Sequence, residues 1–287
     1  MAVSIRSIRS RVHHIRSESE EVWSEAASRR PPPELHGQVR GYTGYEERAR
    51  DVRTLREIPS GGVTLIVNFG PALAITDPGA DKAVLRRSFV AGVHDAYAVT
   101  QVPRRQHGLE IQLTPVGAYT LLGQPMSTLA NRAVALEEVL GSAADELAER
   151  LHALPDWHTR FDLLDRALAW LLGRGRAPSA STVWAWRRLV ESEGRLPIAK
   201  LAAELGVTRK HIAERFREEV GVPPKTLARV LRFRHAVRLL HRDELSLAEV
   251  ASRCGYFDQA HLNRDFREFA GVTPRQLAPT APVAAAP

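Results

Sequence analysis

Apolar residues recur at helical spacing near the C-terminal end of the chain. Leu262, Phe266 and Phe269 fall on one face of a helix, and polar side chains fill most of the opposite face. Asp258 belongs to the residue types that cap a helix N-terminus, and Gly271 is typical of the residue that ends one. The pattern predicts an amphipathic helix between Asp258 and Gly271.

A shorter helix is predicted just upstream, over 246–253, because Glu249 follows Ser246 at the spacing of a capping box. Gly255 marks the turn between the two helices. Two short helices joined by a glycine-containing turn, the second with a polar outer face, form the outline of a helix-turn-helix.

The same outline occurs earlier in the chain, over 198–222, where Ile212 and Phe216 form the apolar stripe of the second helix. A basic helical segment over 227–241 lies between the two copies. The C-terminal part of the chain is therefore predicted to contain an approximate internal duplication with a connecting helix.

Residues Leu196 to Leu277 resemble the DNA-binding domain of the AraC/XylS family of bacterial transcription regulators. The resemblance covers a little under a third of the chain, and it implies an all-α domain over 196–278 with two helix-turn-helix units joined by a linker helix. It also implies binding to double-stranded DNA and regulation of transcription. The matching positions are Arg232, Ala236, Leu239, Leu240, Ala251, Gly255, Phe266, Gly271 and Pro274.

The second helix of each unit must bury its apolar stripe and present the opposite face to base edges. The outward-facing candidates for DNA contacts are Arg209, Lys210, Ala213, Glu214 and Arg217 in the first unit, and Gln259, His261, Asn263, Arg264 and Arg267 in the second. Gln and Asn pair with adenine and Arg with guanine, and each contact adds ~1–3 kcal/mol of discrimination. The resemblance assigns base contacts to Lys210, Ala213, Glu214, Gln259, Asn263 and Arg264.

Glu214 stands where many relatives carry a basic or amide side chain. It accepts a hydrogen bond from cytosine, repels phosphate, or is a surface carboxylate held by Lys210 or Arg217. Some arginines of the linker helix, with Arg238 as the candidate, are expected to contact phosphate, which positions the protein without specifying a sequence. Others, Arg232 above all, are expected to form internal ion pairs.

From about residue 41 to 122 the pattern changes to short apolar runs separated by turn signals. The run over 63–69 is rich in β-branched residues and is bounded by glycines. Several such strands predict a barrel or sandwich, and the segment is similar to the β-rich, cupin-like sensor domain that many regulators of this family carry. A largely apolar pocket in it would suit a small-molecule effector.

These patterns predict an α+β protein with a β-rich N-terminal domain, flanking helices and an all-α C-terminal domain. Residues 1–33 are expected to form a flexible basic arm, 34–175 the sensor domain with its helices, and 176–195 a connecting helix. The Ala/Pro-rich tail over 279–287 is expected to be disordered.

A second apolar stripe precedes the connecting helix and consists of Phe161, Leu164, Leu168 and Leu171. It either packs on the barrel as core or forms a dimerisation surface. Asp162 and Asp165 on the same segment are interpreted as surface residues on adjacent turns, not as a catalytic pair.

Charge supports an anionic partner. The chain has 287 residues and a formal net charge of +7. Residues 196–277 hold 15 Lys and Arg against 10 Asp and Glu, so most of the excess lies in the segment predicted to bind DNA. Neutralised phosphates release counterions and make such binding depend on salt.

Composition excludes several other classes of protein. No apolar run reaches the ~18 residues of a membrane span, and the single cysteine, Cys254, cannot form an internal disulfide or a multi-cysteine zinc site. A DNA-repair alkyl-transfer protein would need several cysteines. Cys254 itself is interpreted as a buried small apolar residue.

The alternative function is a cupin-type metal-dependent enzyme fused to a DNA-binding domain. Its metal ligands would be His94, His107 and Glu110, although no His-x-His pair occurs. The preferred hypothesis has no catalytic residue, cofactor or metal. It is a cytoplasmic transcription activator that binds double-stranded DNA and a small-molecule effector, contacts RNA polymerase and forms a homodimer.

Overall fold

The computed structural model describes residues 12–242 and 245–277. The tail that was expected to be disordered, 279–287, lies outside the described residues. Strands dominate up to Leu113, and helices dominate from Pro115 onward. The predicted α+β class is therefore confirmed.

Eleven strands lie in the described ranges. They are β1 (His13–Glu18), β2 (Val22–Arg29), β3 (Val39–Ala49), β4 (Arg53–Glu57), β5 (Val63–Asn68), β6 (Leu73–Thr76), β7 (Val84–Arg86), β8 (Phe89–Ala91), β9 (Ala98–Val102), β10 (Arg105–Leu113) and β11 (Ala133–Ala135). Seven of them form one antiparallel sheet in the order β1-β2-β3-β10-β5-β8-β11, and four form a second sheet in the order β4-β9-β6-β7.

Apart from β11, the elements from Pro115 onward in the described residues are helices. They are α1 (Pro115–Leu122), α2 (Leu136–Leu140), α3 (Ala143–Ala153), α4 (Trp157–Arg174), α5 (Ala180–Glu191), α6 (Ile198–Glu204), α7 (Arg209–Glu219), α8 (Pro224–Arg242), α9 (Leu247–Arg253), α10 (Gln259–Ala270) and α11 (Pro274–Leu277). Short 3-10 helices lie at Pro33–Leu35 and Met126–Thr128.

The large sheet has two apolar faces. Leu109, Ile111 and Leu113 of β10 alternate with polar residues and join a core shared with the helices. Ile66 and Phe89 lie on the other face and pack in a second core with residues of the four-stranded sheet. The N-terminal domain is therefore a layered sandwich, with helices on the outer face of the larger sheet.

The structure differs from the expected flexible arm over 13–29. This segment forms the hairpin β1–β2, and β2 pairs with β3 from Val22 to Arg29. Sequence patterns missed it because every residue of β1 is exposed, so no apolar alternation marks the strand.

Helix α4 is held to this hairpin by a charged cluster. The Arg29 side chain, only 4% exposed, donates to Asp162 at 2.7 Å and also to Asp165, which accepts a hydrogen bond from Tyr42 as well. Burial raises the pKa of Asp165. The two aspartates are therefore structural ion-pair partners and not free surface residues.

The apolar stripe of α4 packs inward. Phe161, Leu164 and Leu168 are buried in the large core, and Leu171 packs partly buried against it. Of the two interpretations of this stripe, core packing is the one that the structure supports.

The first helix-turn-helix unit shares this large core with the N-terminal domain. Ile212 and Phe216 of α7 belong to the same cluster of buried residues as Tyr119 of α1 and Met126. A Cβ atom on Gly221 would lie 3.1 Å from the Met126 carbonyl oxygen, so the backbone at Gly221 packs closely against the backbone at Met126. The second unit has a smaller core of its own.

We predict that Arg29→Ala lowers the free energy of unfolding by about 3 kcal/mol, because it leaves two half-buried carboxylates without their partner. Arg16→Ala is the matched control, since Arg16 pairs with Glu25 on the exposed face of the same hairpin and should change stability by less than about 1 kcal/mol. Urea unfolding followed by circular dichroism measures both variants. Equal losses would show that the Arg29 cluster contributes no more than a surface pair.

Candidate nucleic-acid interface

Both helices of the second unit, α9 and α10, begin with the N-cap residues that the sequence predicts. Ser246 and Glu249 form both bonds of a capping box at the start of α9. The Asp258 carboxylate accepts a 2.7 Å hydrogen bond from the His261 backbone N–H. Gly255 turns the chain between the helices with φ 75°, a left-handed conformation that glycine adopts without steric cost. These local interactions fix the direction in which α10 leaves the turn.

Helix α10 separates its faces as its sequence pattern predicts. Leu262, Phe266 and Phe269 are fully buried, and Phe266 contacts Phe233 of α8 edge-on with ring centroids 4.8 Å apart. The predicted DNA-contacting residues lie on the other face and are exposed or half-exposed. They are Gln259, His261, Asn263, Arg264 and Arg267.

Helix α7 of the first unit has the same organisation. Thr208 caps it by accepting from the His211 backbone N–H, and Ile212 and Phe216 point into the core. The candidate contact residues again lie on the outer face, with Ala213 half-exposed and the charged ones exposed. They are Arg209, Lys210, Ala213, Glu214 and Arg217.

Glu214 has a neighbour of opposite charge. Its carboxylate lies 4.0 Å from the Lys210 ammonium, and both side chains are well exposed. A pair of this kind contributes little to stability and can break when DNA approaches. The geometry agrees with a surface carboxylate held by Lys210, one of the three interpretations of this residue.

The arginines of α8 are engaged within the protein. Arg229 donates to Asp265 at 2.7 Å and to Glu268, which ties α8 to α10. Arg232 donates to the Gly194 carbonyl, and Arg238 forms an ion pair with Glu193. Arg232 therefore has an internal carbonyl partner in place of the expected ion pair. A phosphate contact by Arg238 would have to compete with Glu193.

A basic cleft of about 350 Å³ lies between the start of α8 and helix α10. It contains one carboxylate, that of Asp265, which is already paired with Arg229. Lys225 in the first turn of α8 is exposed and was not predicted from the sequence, although a helix N-terminus is a recognised place for an anion to bind. The lining residues are Lys225, Arg229, Arg232, His261, Arg264 and Asp265.

Phe257 is a second residue that sequence analysis missed. Its side chain is 93% exposed in the turn immediately before the cap of α10. The helical pattern of apolar and polar positions does not include Phe257, because this residue precedes α10. A large apolar side chain with this exposure, beside the residues that face outward from α10, is available for contact with a partner.

Cys254 is fully buried beside the turn of the second unit, and burial raises the pKa of its thiol to about 11. The thiol therefore stays protonated near neutral pH and behaves as a small apolar group. This environment agrees with the interpretation made from the sequence.

The three candidate metal ligands are not brought together. His107 contacts Arg160 and the rings of Phe69 and Trp157, whereas Glu110 accepts from Gln112. Across 12–242 and 245–277, no group of three His, Cys, Asp or Glu side chains is arranged to hold a metal ion. Within the same ranges, no helix is long and apolar enough to cross a membrane.

A family model described as a helix-turn-helix domain matches residues 201–279. The match covers both units and the connecting helix α8. This segment is an AraC-type helix-turn-helix domain. A second model, described as a domain of unknown function, matches residues 27–135 and so covers most of the strands.

Curated relatives match over only part of the chain. The chain is 35% identical over 71 residues to the F1 operon positive regulatory protein of Yersinia pestis, covering 25% of this chain and 24% of that protein. It is 36% identical over 83 residues to the HTH-type transcriptional regulator GlxA of Rhizobium meliloti, covering 29% of this chain and 25% of that protein. The chain thus spans about a quarter of the length of each.

Two solved structures align with this chain at TM-scores below 0.5. ToxT of Vibrio cholerae aligns over 80% of this chain and 98% of its own, with 11% identity and a TM-score of 0.47. The DNA-binding domain of AdpA, solved with a target DNA, aligns over 35% of this chain and 91% of its own, with 28% identity and a TM-score of 0.33.

We predict that Asp258→Ala destabilises the AraC-type domain by about 1 kcal/mol, because the first turn of α10 loses its side-chain acceptor. Asp258→Asn is the matched control, since an asparagine oxygen accepts the same hydrogen bond and should preserve most of the stability. Chemical unfolding compares the two variants with the parent protein. If Asn proved as damaging as Ala, the carboxylate charge and not the cap would be the stabilising feature.

Proposed function

We propose that the protein is a sequence-specific DNA-binding transcription regulator controlled by a small molecule that its N-terminal domain binds. One observation carries the proposal. Two capped helices, α7 and α10, each bury an apolar stripe in the protein and leave an outer face of polar and basic side chains exposed. That division of faces is what insertion into a major groove requires.

In the proposed complex the outer faces of α7 and α10 enter successive segments of the major groove. Gln259, Asn263 and Arg264 supply base contacts from α10, and Lys210 supplies one from α7. Lys225 and the basic cleft bind phosphate, which fixes the register without selecting a sequence. Phe257 packs against a thymine methyl group, an apolar base contact that the major groove offers.

The protein is further proposed to act as a cytoplasmic activator that contacts RNA polymerase and binds DNA as a homodimer, without enzymatic activity. The names of curated relatives support the role of an activator, since one relative is a positive regulatory protein and another is a transcriptional activator. A reporter gene placed downstream of the bound site measures activation. Light scattering of the purified protein measures the number of subunits.

The proposal is tested by selecting genomic fragments with the full-length protein at two salt concentrations. We expect one enriched motif with two blocks about one helical turn apart, because the two helix-turn-helix units are joined by the single helix α8. Binding that enriches no motif and weakens equally on all fragments as salt rises would contradict sequence-specific recognition. The same selection with Phe257→Ala should lose a thymine preference at one position.

We predict that Arg264→Ala and Lys225→Ala act differently on the selected site. Loss of Arg264 should cost about 1–3 kcal/mol on the preferred sequence and relax specificity at one base pair. Loss of Lys225 should weaken all sequences alike and reduce the salt slope by about 1. Titrations on the preferred duplex and on single-base variants measure both effects, and equal losses on every duplex would show that Arg264 binds phosphate.

A further inference from the structure

The loop over 192–195, between α5 and the first helix-turn-helix unit, contains a residue with an unusual backbone conformation. Glu193 has φ 50°, in the left-handed region that residues with a Cβ atom rarely adopt. Asn131 is the other non-glycine residue with positive φ in the part of the chain that the structure describes. Such a conformation is costly and persists where the surrounding contacts enforce it. The side chain of Glu193 therefore has to be held by its surroundings.

Helix α8 holds the carboxylate of Glu193. Its Oε1 accepts a hydrogen bond from Nη2 of Arg238, and its Oε2 lies 2.6 Å from Nδ1 of His235. Oε2 is also 4.0 Å from the guanidinium group of Arg195 in the same loop. Only 30% of the Glu193 side chain is exposed, so these interactions are less screened than those of a fully exposed pair. One carboxylate thus contacts two residues in the C-terminal half of α8.

The backbone of the same loop lies directly against α8. A Cβ atom on Gly194 would overlap the Ala228 carbonyl oxygen, so only glycine allows this approach. The Gly194 carbonyl accepts a hydrogen bond from Nη1 of Arg232. The residues of α8 that meet the loop are spaced by three or four positions and so lie on one face of the helix. They are Ala228, Arg232, His235 and Arg238.

The loop also reaches the second unit. A Cβ atom on Gly255, in the turn between α9 and α10, would lie 3.1 Å from Cγ of Arg195. The loop is fixed to the end of α5, since the backbone N–H groups of Glu193 and Gly194 donate to carbonyls in its last turn. Because α6 begins at Ile198, the segment that leads into the first unit is in contact with the turn of the second.

The two units therefore have two connections. One is α8, which holds a fixed length because a helix rises 1.5 Å per residue. The rotation of α9 and α10 about the axis of α8 depends instead on side-chain contacts. The loop over 192–195 adds a charged contact and a backbone contact at a second place, and it touches the turn of the second unit as well. These contacts resist rotation of the second unit relative to the first.

We propose that Glu193 is a positioning residue that sets the spacing between the two DNA blocks that the protein recognises. It acts by fixing the orientation of the second unit relative to the first, and not by contact with DNA. One added base pair moves a block by about 3.4 Å along the duplex and turns it by about 34–36° around the axis. A fixed orientation therefore accepts one spacing best. The proposal rests on the proposed function, because it requires two blocks that are each read by one unit.

The test compares the affinities of the full-length protein for three duplexes that carry the selected motif. One duplex has the selected spacing between the blocks, and the others have one base pair more or one fewer. The parent protein should bind the altered duplexes about tenfold more weakly, because one unit then meets its block out of register. Glu193→Gln should reduce this difference to about threefold or less, since the amide keeps the size of the side chain but not its charge.

Glu191→Gln is the matched control. Glu191 lies in the last turn of α5, is exposed and is 3.8 Å from Arg188 on the same helix. The substitution removes a carboxylate two residues from Glu193 without touching the contacts between the loop and α8. It should keep the tenfold difference of the parent protein. Loss of the difference in this variant too would mean that any nearby change of charge relaxes the spacing, and the role of Glu193 would be wrong.

A second variant separates the carboxylate from the strained backbone. Glu193→Gly removes the same carboxylate but suits the left-handed conformation, so its Tm should stay closer to that of the parent than the Tm of Glu193→Gln. It should nevertheless lose the preference for one spacing. If Glu193→Gly kept the preference of the parent protein, the carboxylate would not be the positioning group, and the proposal would be overturned.

The ratio of affinities separates positioning from stabilisation. A residue that only stabilises the domain would lower the Tm and weaken binding to all three duplexes by the same factor. An unchanged ratio in Glu193→Gln would therefore contradict the proposal, whatever the change in Tm.

Failure of this inference and failure of the proposed function give different results. If selection returns no motif with two blocks, the proposed function is contradicted, and the positioning role fails with it. If a motif with two blocks is selected but the parent protein binds all three duplexes equally, the motif stands and the positioning role alone is wrong.

Discussion

The structure depends most on the packing of α8, because this one helix contributes both to the large core and to the smaller core of the second unit. Leu227 and Ala228 near its start are buried with the N-terminal domain and the first unit, whereas Phe233 and Val237 are buried with α9 and α10. A single stretch of 19 residues therefore fixes both units at once. Since a helix is stiff over this length, the two outer faces keep one separation, and that separation is a property of α8 more than of either unit.

Around this helix, charged groups are used mainly to hold elements together. Arg229 joins α8 to α10, Arg238 joins it to Glu193 after α5, and Arg29 joins α4 to the hairpin β1–β2. Each has a carboxylate partner, so its charge is compensated. Arg40 and Arg234 instead donate to backbone carbonyls of the loop over 59–62.

Sequence patterns predicted the features that are encoded locally. The caps at Ser246 and Asp258 and the stripe of Leu262 and Phe266 depend on residues within one or two turns of each other, so they were predicted correctly. The hairpin β1–β2 was missed because its stability comes from pairing with β3 and from Arg29, which binds residues more than 130 positions away. For the DNA contacts, sequence identified the outer faces of the helices but not Phe257, which lies in a turn.

The core that the first unit shares with the N-terminal domain has a consequence for how the chain is made. Domains usually fold in turn as they leave the ribosome, yet Tyr119 and Met126 share their core with Ile212 and Phe216, almost a hundred residues later. The N-terminal domain must therefore wait, with part of its apolar surface uncovered, until the first unit has been synthesised. The later half of the chain therefore covers apolar surface that the earlier half cannot bury by itself.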